Sequence, residues 1–175
     1  MIEKLNLYIN ESFRSSPFTI LFFSLIIYIL FQNKVALHLF ILISLTDTSN
    51  KFLKLLFKKL YSLYPQLKNI LGNGERPKNA INCGCFIDPL NPSQKATSYG
   101  LPSGHSEILF SIASFLSLYF NNFYKTNILF LLASYGAYTR ITMGCHSLNQ
   151  VVLGGFIGIL FGYLYYFFIN KFNLV

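Results

Sequence analysis

The stretch QVVLGGFIGILFGYLYYFFIN, residues 150–170, decides the fold class of this chain. It contains no charged residue and is long enough to cross a hydrocarbon layer of about 30 Å as a helix, which takes roughly 20 residues. Gly154, Gly158 and Gly162 recur at every fourth position and line one helix face. In lipid, such small residues let two helices approach closely. The stretch therefore predicts a transmembrane helix packed against a neighbour.

Four further apolar segments precede it along the chain: 17–32, 35–57, 105–120 and 127–144. With residues 150–170 they predict an all-α integral membrane bundle of about five transmembrane helices, which we take as one membrane-embedded domain, residues 1–175. Residues 2–13 place apolar and polar side chains at helical spacing on different faces. This pattern predicts an amphipathic interfacial helix before the first crossing.

The composition excludes an ordinary soluble domain. Of 175 residues, 53% are hydrophobic and only 11% charged, with a mean hydropathy of +0.47. The net charge of +8 does not indicate nucleic acid, because Lys and Arg lie between the apolar segments and not on one soluble basic face. Two interpretations stay open: these residues orient membrane helices, or they form a basic mouth that attracts phosphate-bearing substrates and anionic membrane lipids.

Residues 58–104 are rich in Gly, Pro, Asn and Lys. This segment is too polar to span a membrane and too long for a routine connection, which indicates a functional loop. Five crossings place it on the same membrane face as the N-terminus and the junction at residues 140–150. We therefore interpret 58–104 as an active-site loop.

Two polar clusters lie at helix junctions on that face. The run YGLPSGH, residues 99–105, brings a Ser suited to capping and the free N–H groups of a helix start, which together make an anion site, although alone it also fits a plain helix cap. At the second junction Arg140 precedes His146 and Gln150, which are four residues apart, so that Gln150 can orient the imidazole. Arg and His at membrane depth are costly, which favours a function for them.

A third cluster, Arg76-Pro77, lies inside the long loop, with Lys68 upstream and Lys54 on the second helix. A guanidinium fork matches phosphate oxygens bidentately, whereas Lys serves as a point charge. Two arginines and a lysine are suited to neutralise a phosphoryl group. The sequence alone does not choose between the two lysines.

Lys, then Arg-Pro, then Pro-Ser-Gly-His, then Arg-x5-His, in this order with apolar helices between them, resembles the three-part signature of the type 2 phosphatidic acid phosphatase superfamily. The resemblance covers roughly residues 47–155. It implies a helical membrane bundle that works without metal or cofactor by double displacement. His146 would attack phosphorus, and His105 would protonate the leaving oxygen and later activate water. The groups that would hold the phosphoryl oxygens are Arg76, Arg140, Ser103, the Gly104 amide and one lysine, Lys54 or Lys68.

The chain departs from that family pattern in three places. Gln150 stands where the family usually has Asp, as in the dolichyl-diphosphatase branch, which the YGLPSGHS run also resembles. Lys68 leaves one residue too many before Arg-Pro, and the surroundings of Lys54 are similar to the family's second-helix end, so we favour Lys54. The family core has six helices, and Thr139 stands where a Ser usually precedes the motif arginine.

The three cysteines form no zinc framework, because a tetrahedral site usually takes four ligands at suitable spacings. Cys145 adjoins His146 and is able to pair with Cys83 or Cys85, or all three are free thiols. The pairing and the redox compartment stay open at this point.

The favoured hypothesis is a multi-pass membrane phosphatase that hydrolyses a lipid phosphate or an isoprenoid diphosphate of the dolichyl or undecaprenyl type through a phosphohistidine. The alternatives are a lipid phosphotransferase using the same site, and a non-catalytic phospholipid-binding membrane protein; a purely structural membrane protein gives no reason for three clusters on one face. Counting positive charges places the loop face in the cytoplasm, whereas the resemblance implies a lumenal or periplasmic site.

Overall fold

The computed structural model describes residues 2–80, 82–85, 94–172 and 174, with side chains from Tyr8 onward. The described residues form helices joined by loops, which confirms the all-α class. Six helices follow one another: α1 (Ile2–Phe31), α2 (Lys34–Leu63), α3 (Leu67–Leu71), α4 (Gly104–Phe120), α5 (Phe123–Thr142) and α6 (Leu148–Lys171).

Helix α1 corrects the expectation of an amphipathic helix followed by a separate crossing, because residues 2–31 form one continuous helix with Pro17 inside it. A proline lacks the N–H that would bond the carbonyl four residues earlier, here that of Phe13. The Ser16 hydroxyl donates to that carbonyl at 2.8 Å instead, so the helix continues. The apolar face assigned to Ile2 and Leu5 lies outside the described side chains.

Helix α2 is longer than expected and ends at Leu63, so the loop predicted over 58–104 begins at Tyr64 and carries the short helix α3. Residues 51–63 contain mainly Leu, Lys and Phe and no Gly or Pro, and Leu and Lys favour a helix. Only Pro65 interrupts this pattern. The connecting segment that faces the site is therefore residues 72–103, of which residues 81 and 86–93 are not described.

Helix α4 is the centre of the bundle and packs most closely on α6. A methyl group added at Gly158 would lie 2.2 Å from the Glu107 carbonyl oxygen, and one at Gly162 would lie 2.2 Å from that of Ser111. These distances are below any real contact, so the two backbones touch along the glycine stripe. The predicted close packing of residues 150–170 on a neighbour is confirmed.

The core lies between α2, α4 and α6, where Leu42, Phe115 and Ile169 are fully buried together. His38 is buried at the same end, 2.9 Å from the Tyr165 hydroxyl through its Nδ1. It is a packing histidine with satisfied ring nitrogens, remote from the polar junctions that carry the motifs.

The outer surface of the bundle is apolar. Within the described part of the chain, two helices are long and apolar enough to cross a membrane, over Tyr8–Phe31 and Leu148–Lys171. On α6 the face opposite the glycines exposes large apolar side chains at every fourth position: Val152, Phe156, Leu160, Leu164 and Phe168. A soluble protein rarely exposes such a continuous stripe. The surface is consistent with a membrane bundle, and the count of about five crossings stays a prediction.

Candidate active site

Three helix ends meet the long loop at one end of the bundle. The N-termini of α4 and α6 lie side by side, joined by a hydrogen bond from the Ser103 N–H to the Gln150 carbonyl at 3.0 Å. The C-terminal end of α5 brings Arg140, which is 1% exposed. The sequence motifs, separated by up to 70 residues, thus converge on one place.

On the His146 side of the site, Gln150 holds the imidazole and the loop at once. Its Nε2 donates to the carbonyls of Asn73 at 3.0 Å and Glu75 at 2.6 Å, which fixes the orientation of the amide. Its Oε1 lies 3.0 Å from His146 Nδ1 and also accepts from the Ser147 N–H. Because Oε1 only accepts, Nδ1 carries the proton and Nε2 keeps its lone pair.

Arg76 contacts the other ring nitrogen of His146, with Nη1 3.2 Å from Nε2. The same Nη1 donates to the Cys145 carbonyl at 3.1 Å, while Nε and Nη2 donate to the carbonyl and hydroxyl of Ser98 at 3.1 and 2.9 Å. Burial and then the Arg76 charge, followed by those of Lys54 and Arg140, hold the pKa of His146 well below its ordinary 6.5. The imidazole is therefore neutral at neutral pH.

A disulfide between Cys83 and Cys145, 62 residues apart, ties the long loop to the residue before His146, with Cα atoms 6.0 Å apart. Cys85 is the free thiol among the cysteines, all three of which lie in described residues. The structure thus chooses one of the pairings that the sequence left open. The Cys83 carbonyl also accepts a hydrogen bond from Arg140 Nη2.

On the His105 side of the site, the ring contacts helix α1. His105 Nε2 lies 2.8 Å from the Arg14 carbonyl oxygen and 3.9 Å from Cys85 Sγ. Arg14 is 8% exposed, and its Nε is buried without a partner among the described residues; the same holds for Nε and Nη1 of Arg140. This side therefore contains buried donors that have no acceptor among the described residues.

The Ser103-Gly104 step begins α4 as the motif predicts. Ser103 is the N-cap residue, but its hydroxyl accepts from the Ser106 hydroxyl at 3.0 Å and caps no N–H of the described helix. A methyl group at Gly104 would lie 2.8 Å from Asn50 Oδ1, so a larger residue there would displace the Asn50 side chain. The Asn50 amide in turn donates to Glu107 at 2.7 Å. Glu107 is fully buried, so it does not act only as an exposed first-turn charge.

A basic cleft of about 900 Å³ opens beside Arg76. Both candidate lysines, Lys54 from α2 and Lys68 from α3, line it, along with Lys51, Lys58 and Lys95. Only Lys54 of the two candidates is among the charges that act on His146. The Lys54 charge thus lowers the pKa of His146, and both lysines lie on the wall of the cleft.

Sequence reasoning missed three residues that the structure brings to the site: Arg14, Asn50 and Ser98. Arg14 carries a usable signal, since it lies with Glu11 inside a helix, Tyr8–Phe31, that is apolar enough to span a membrane. Asn50 is one of several polar residues near the end of the second apolar segment, and Ser98 lies in a polar loop where nothing distinguishes it.

The chain is similar to one protein family and to two known relatives. The PAP2 superfamily model matches residues 52–174. Lipid A 4'-phosphatase of Bacteroides thetaiotaomicron is 28% identical over 172 residues, which cover 94% of this chain and 70% of that protein. Dolichyldiphosphatase 1 of Dictyostelium discoideum is 34% identical over 80 residues, 39% of this chain and 35% of that protein. No solved structure matches the chain.

Proposed function

The chain belongs to the PAP2 superfamily and is a phosphatase, and on this premise we propose that it hydrolyses a lipid phosphate or isoprenoid diphosphate through a phosphohistidine at His146. The main support for the proposal is the His146 imidazole, which Gln150 and Arg76 hold in one orientation. Gln150 fixes the proton on Nδ1, and Arg76 lies against Nε2, the nitrogen with the lone pair. The nitrogen that would attack and the guanidinium that would bind the phosphate therefore lie next to each other.

The reaction proceeds by two displacements. His146 Nε2 attacks phosphorus; the N–P bond forms, the P–O bond to the leaving group breaks, and His105 gives its proton to the leaving oxygen. His105 then takes a proton from water, the resulting hydroxide attacks phosphorus, and the N–P bond breaks to release phosphate. Arg76, Arg140, Lys54 and the Ser103-Gly104 helix start stabilise the charge on the phosphoryl oxygens.

The substrate class is a lipid with a terminal phosphate. One relative is named as a lipid A 4'-phosphatase and the other as a dolichyldiphosphatase. The basic cleft beside Arg76 supplies the positive field that concentrates such headgroups.

For membrane placement we propose one domain, residues 1–175, with about five crossings by α1, α2, α4, α5 and α6. The exposed apolar faces of α5 and α6 support this placement. The Cys83–Cys145 disulfide supports a lumenal or periplasmic site, because disulfides persist in oxidising compartments and are rare in the cytosol.

The test is phosphate release by detergent-solubilised protein with EDTA present, on isoprenyl diphosphate, isoprenyl monophosphate and phosphatidic acid. We expect turnover on at least one lipid, and we expect His146→Ala to lower it about a thousandfold or more. His38→Gln is the matched control, because it replaces a histidine of the packed core and should retain activity. Transfer of phosphate to an added alcohol without hydrolysis would instead indicate a phosphotransferase, and folded protein without either activity would indicate a lipid-binding protein.

A further inference from the structure

The Cys83–Cys145 disulfide ties the long loop to the C-terminal end of helix α5. Cys145 is fixed there by its main chain as well, because its N–H donates to the Arg140 carbonyl at 3.0 Å. Cys83 lies 62 residues earlier, in the loop, and its Cα atom is 6.0 Å from that of Cys145. Both cysteines are buried, at 3% and 0% exposed. The disulfide therefore places a buried loop residue next to the helix end that carries Arg140.

The Arg140 guanidinium has one hydrogen-bond acceptor among the described residues, and that acceptor belongs to the same disulfide. Arg140 is 1% exposed, and its Nη2 donates to the Cys83 carbonyl, while Nε and Nη1 have no partner in the described part of the chain. Arg76 differs, since it donates to the Ser98 carbonyl and hydroxyl and to the Cys145 carbonyl. The orientation of Arg140, unlike that of Arg76, thus depends on where Cys83 lies.

These contacts form a closed ring that begins and ends at Arg140. The Arg140 carbonyl accepts from the Cys145 N–H, the disulfide joins Cys145 to Cys83, and the Cys83 carbonyl accepts from Arg140 Nη2. The main-chain bond beside Cys83 leads elsewhere, because the Asn82 N–H donates at 2.6 Å to the carbonyl of Gln94 in the same loop. Removal of the disulfide would leave the bond from Arg140 as the only hydrogen bond between α5 and the described loop residues 82–85.

We propose that the Cys83–Cys145 disulfide positions the Arg140 guanidinium, so that its Nε and Nη1 donate to the phosphoryl oxygens of a bound substrate. The inference rests on the proposed function, in which Arg140 stabilises the charge on those oxygens. Two buried nitrogens without acceptors cost free energy, and a phosphoryl group that accepts from them offsets this cost. A guanidinium fork gains most from such an acceptor when its orientation is set beforehand. The two cysteines are therefore positioning residues that act through Arg140.

The test is a double-mutant cycle on orthophosphate binding, measured by calorimetry with the full-length protein in detergent. We expect Cys83→Ala/Cys145→Ala to weaken orthophosphate binding about three- to tenfold, and Arg140→Met to weaken it about ten- to hundredfold. Because the disulfide acts through Arg140, adding the cysteine substitutions to Arg140→Met should weaken binding further by less than about twofold. Added to Arg76→Met, the same substitutions should keep their full effect, because Arg76 has acceptors of its own in Ser98.

A disulfide that only stabilises the fold gives a different result. The cysteine variant would then melt at a lower temperature but bind orthophosphate like the wild type, or the cysteine substitutions would weaken binding equally in the wild-type, Arg140→Met and Arg76→Met backgrounds. Either result would overturn the positioning role. Should the cysteine variant not fold, wild type reduced with dithiothreitol replaces it; the dithiol gives two electrons and two protons to the disulfide and closes its own. Cys85→Ser, which keeps the disulfide, should lose binding on reduction by the same factor as the wild type.

Turnover separates a failure of this inference from a failure of the proposed function. Lipid hydrolysis that is lost in His146→Ala, together with additive effects of the disulfide and Arg140, would reject the positioning role alone. The expected non-additive binding of orthophosphate without lipid hydrolysis by the wild type would reject the proposed hydrolase alone. Where Arg140→Met binds orthophosphate too weakly to measure, kcat/KM for phosphate release completes the same cycle.

Discussion

The two histidine sides of the site differ in how their polar groups are satisfied. On the His146 side, both ring nitrogens, the Gln150 amide and the Arg76 guanidinium have protein partners. On the His105 side, the ring contacts a main-chain carbonyl, and Arg14 and Arg140 retain buried nitrogens without partners in the described part of the chain.

This difference separates side chains that the protein itself holds in place from side chains that lack a protein partner in the described part of the chain. A nucleophile must keep one tautomer and one orientation before substrate arrives, and a closed hydrogen-bond network provides that. Groups that bind the anion of a substrate act only when that anion is present. The unpartnered donors of the His105 side have the character of such groups.

Among the substitutions that test this comparison, Gln150→Glu should have the largest effect, because it removes hydrogen bonds from the His146 side. A charged carboxylate at this position cannot donate to the carbonyls of Asn73 and Glu75, so both hydrogen bonds would be lost. A protonated carboxyl would donate to only one of the two carbonyls. We expect kcat to fall about ten- to hundredfold, measured as phosphate release.

The matched control for this change is Asn149→Asp, which adds the same charge at an exposed neighbouring position and should have little effect. Wild-type kcat in Gln150→Glu would show that the two loop carbonyls do not need the amide, and that the usual family carboxylate serves equally well here.

A smaller effect is expected from substitutions that separate α4 from α6, the two helices whose N-termini form part of the site. Gly158→Ala places a methyl group against the Glu107 backbone carbonyl, whereas at Gly155 the nearest atoms, 3.1 Å away, belong to the Phe110 ring, which can move. We expect Gly158→Ala to lower the free energy of unfolding by about 1–3 kcal/mol and Gly155→Ala to lower it less. Thermal unfolding in detergent measures both, and equal destabilisation would contradict backbone contact as the cause.

The smallest effect is expected in the pH profile. The proposed attack requires neutral His146. Burial and the Arg76 charge keep the pKa of His146 well below 6.5, so kcat/KM should fall with acid only below that pH. Arg76→Met removes one cause, so the pKa of His146 rises and activity is lost at a higher pH. Arg76→Lys keeps the charge and should leave the acid limb in place. An unmoved limb in Arg76→Met, or equal movement in both variants, would argue against this cause.

Much of the site was predictable because its residues lie in short motifs at helix junctions. The spacing of His146 and Gln150 predicts their contact, since residues four apart share a helical face. The break expected in α1 was wrong, because the Ser16 hydroxyl compensates for Pro17 through a side-chain bond that no hydropathy pattern contains. The loop was expected to begin too early, because helix propensity continues past the last apolar segment into Leu63.

The sequence by itself determined the helical class, the order of the motifs and the glycine stripe, because hydropathy and periodicity are local properties of the chain. The tertiary structure alone decided that Cys83 pairs with Cys145, that Gln150 also holds the loop carbonyls, and that Arg14 reaches His105. Each of these contacts joins residues more than 60 positions apart. Their pairing depends on how the helices pack, which no short segment encodes.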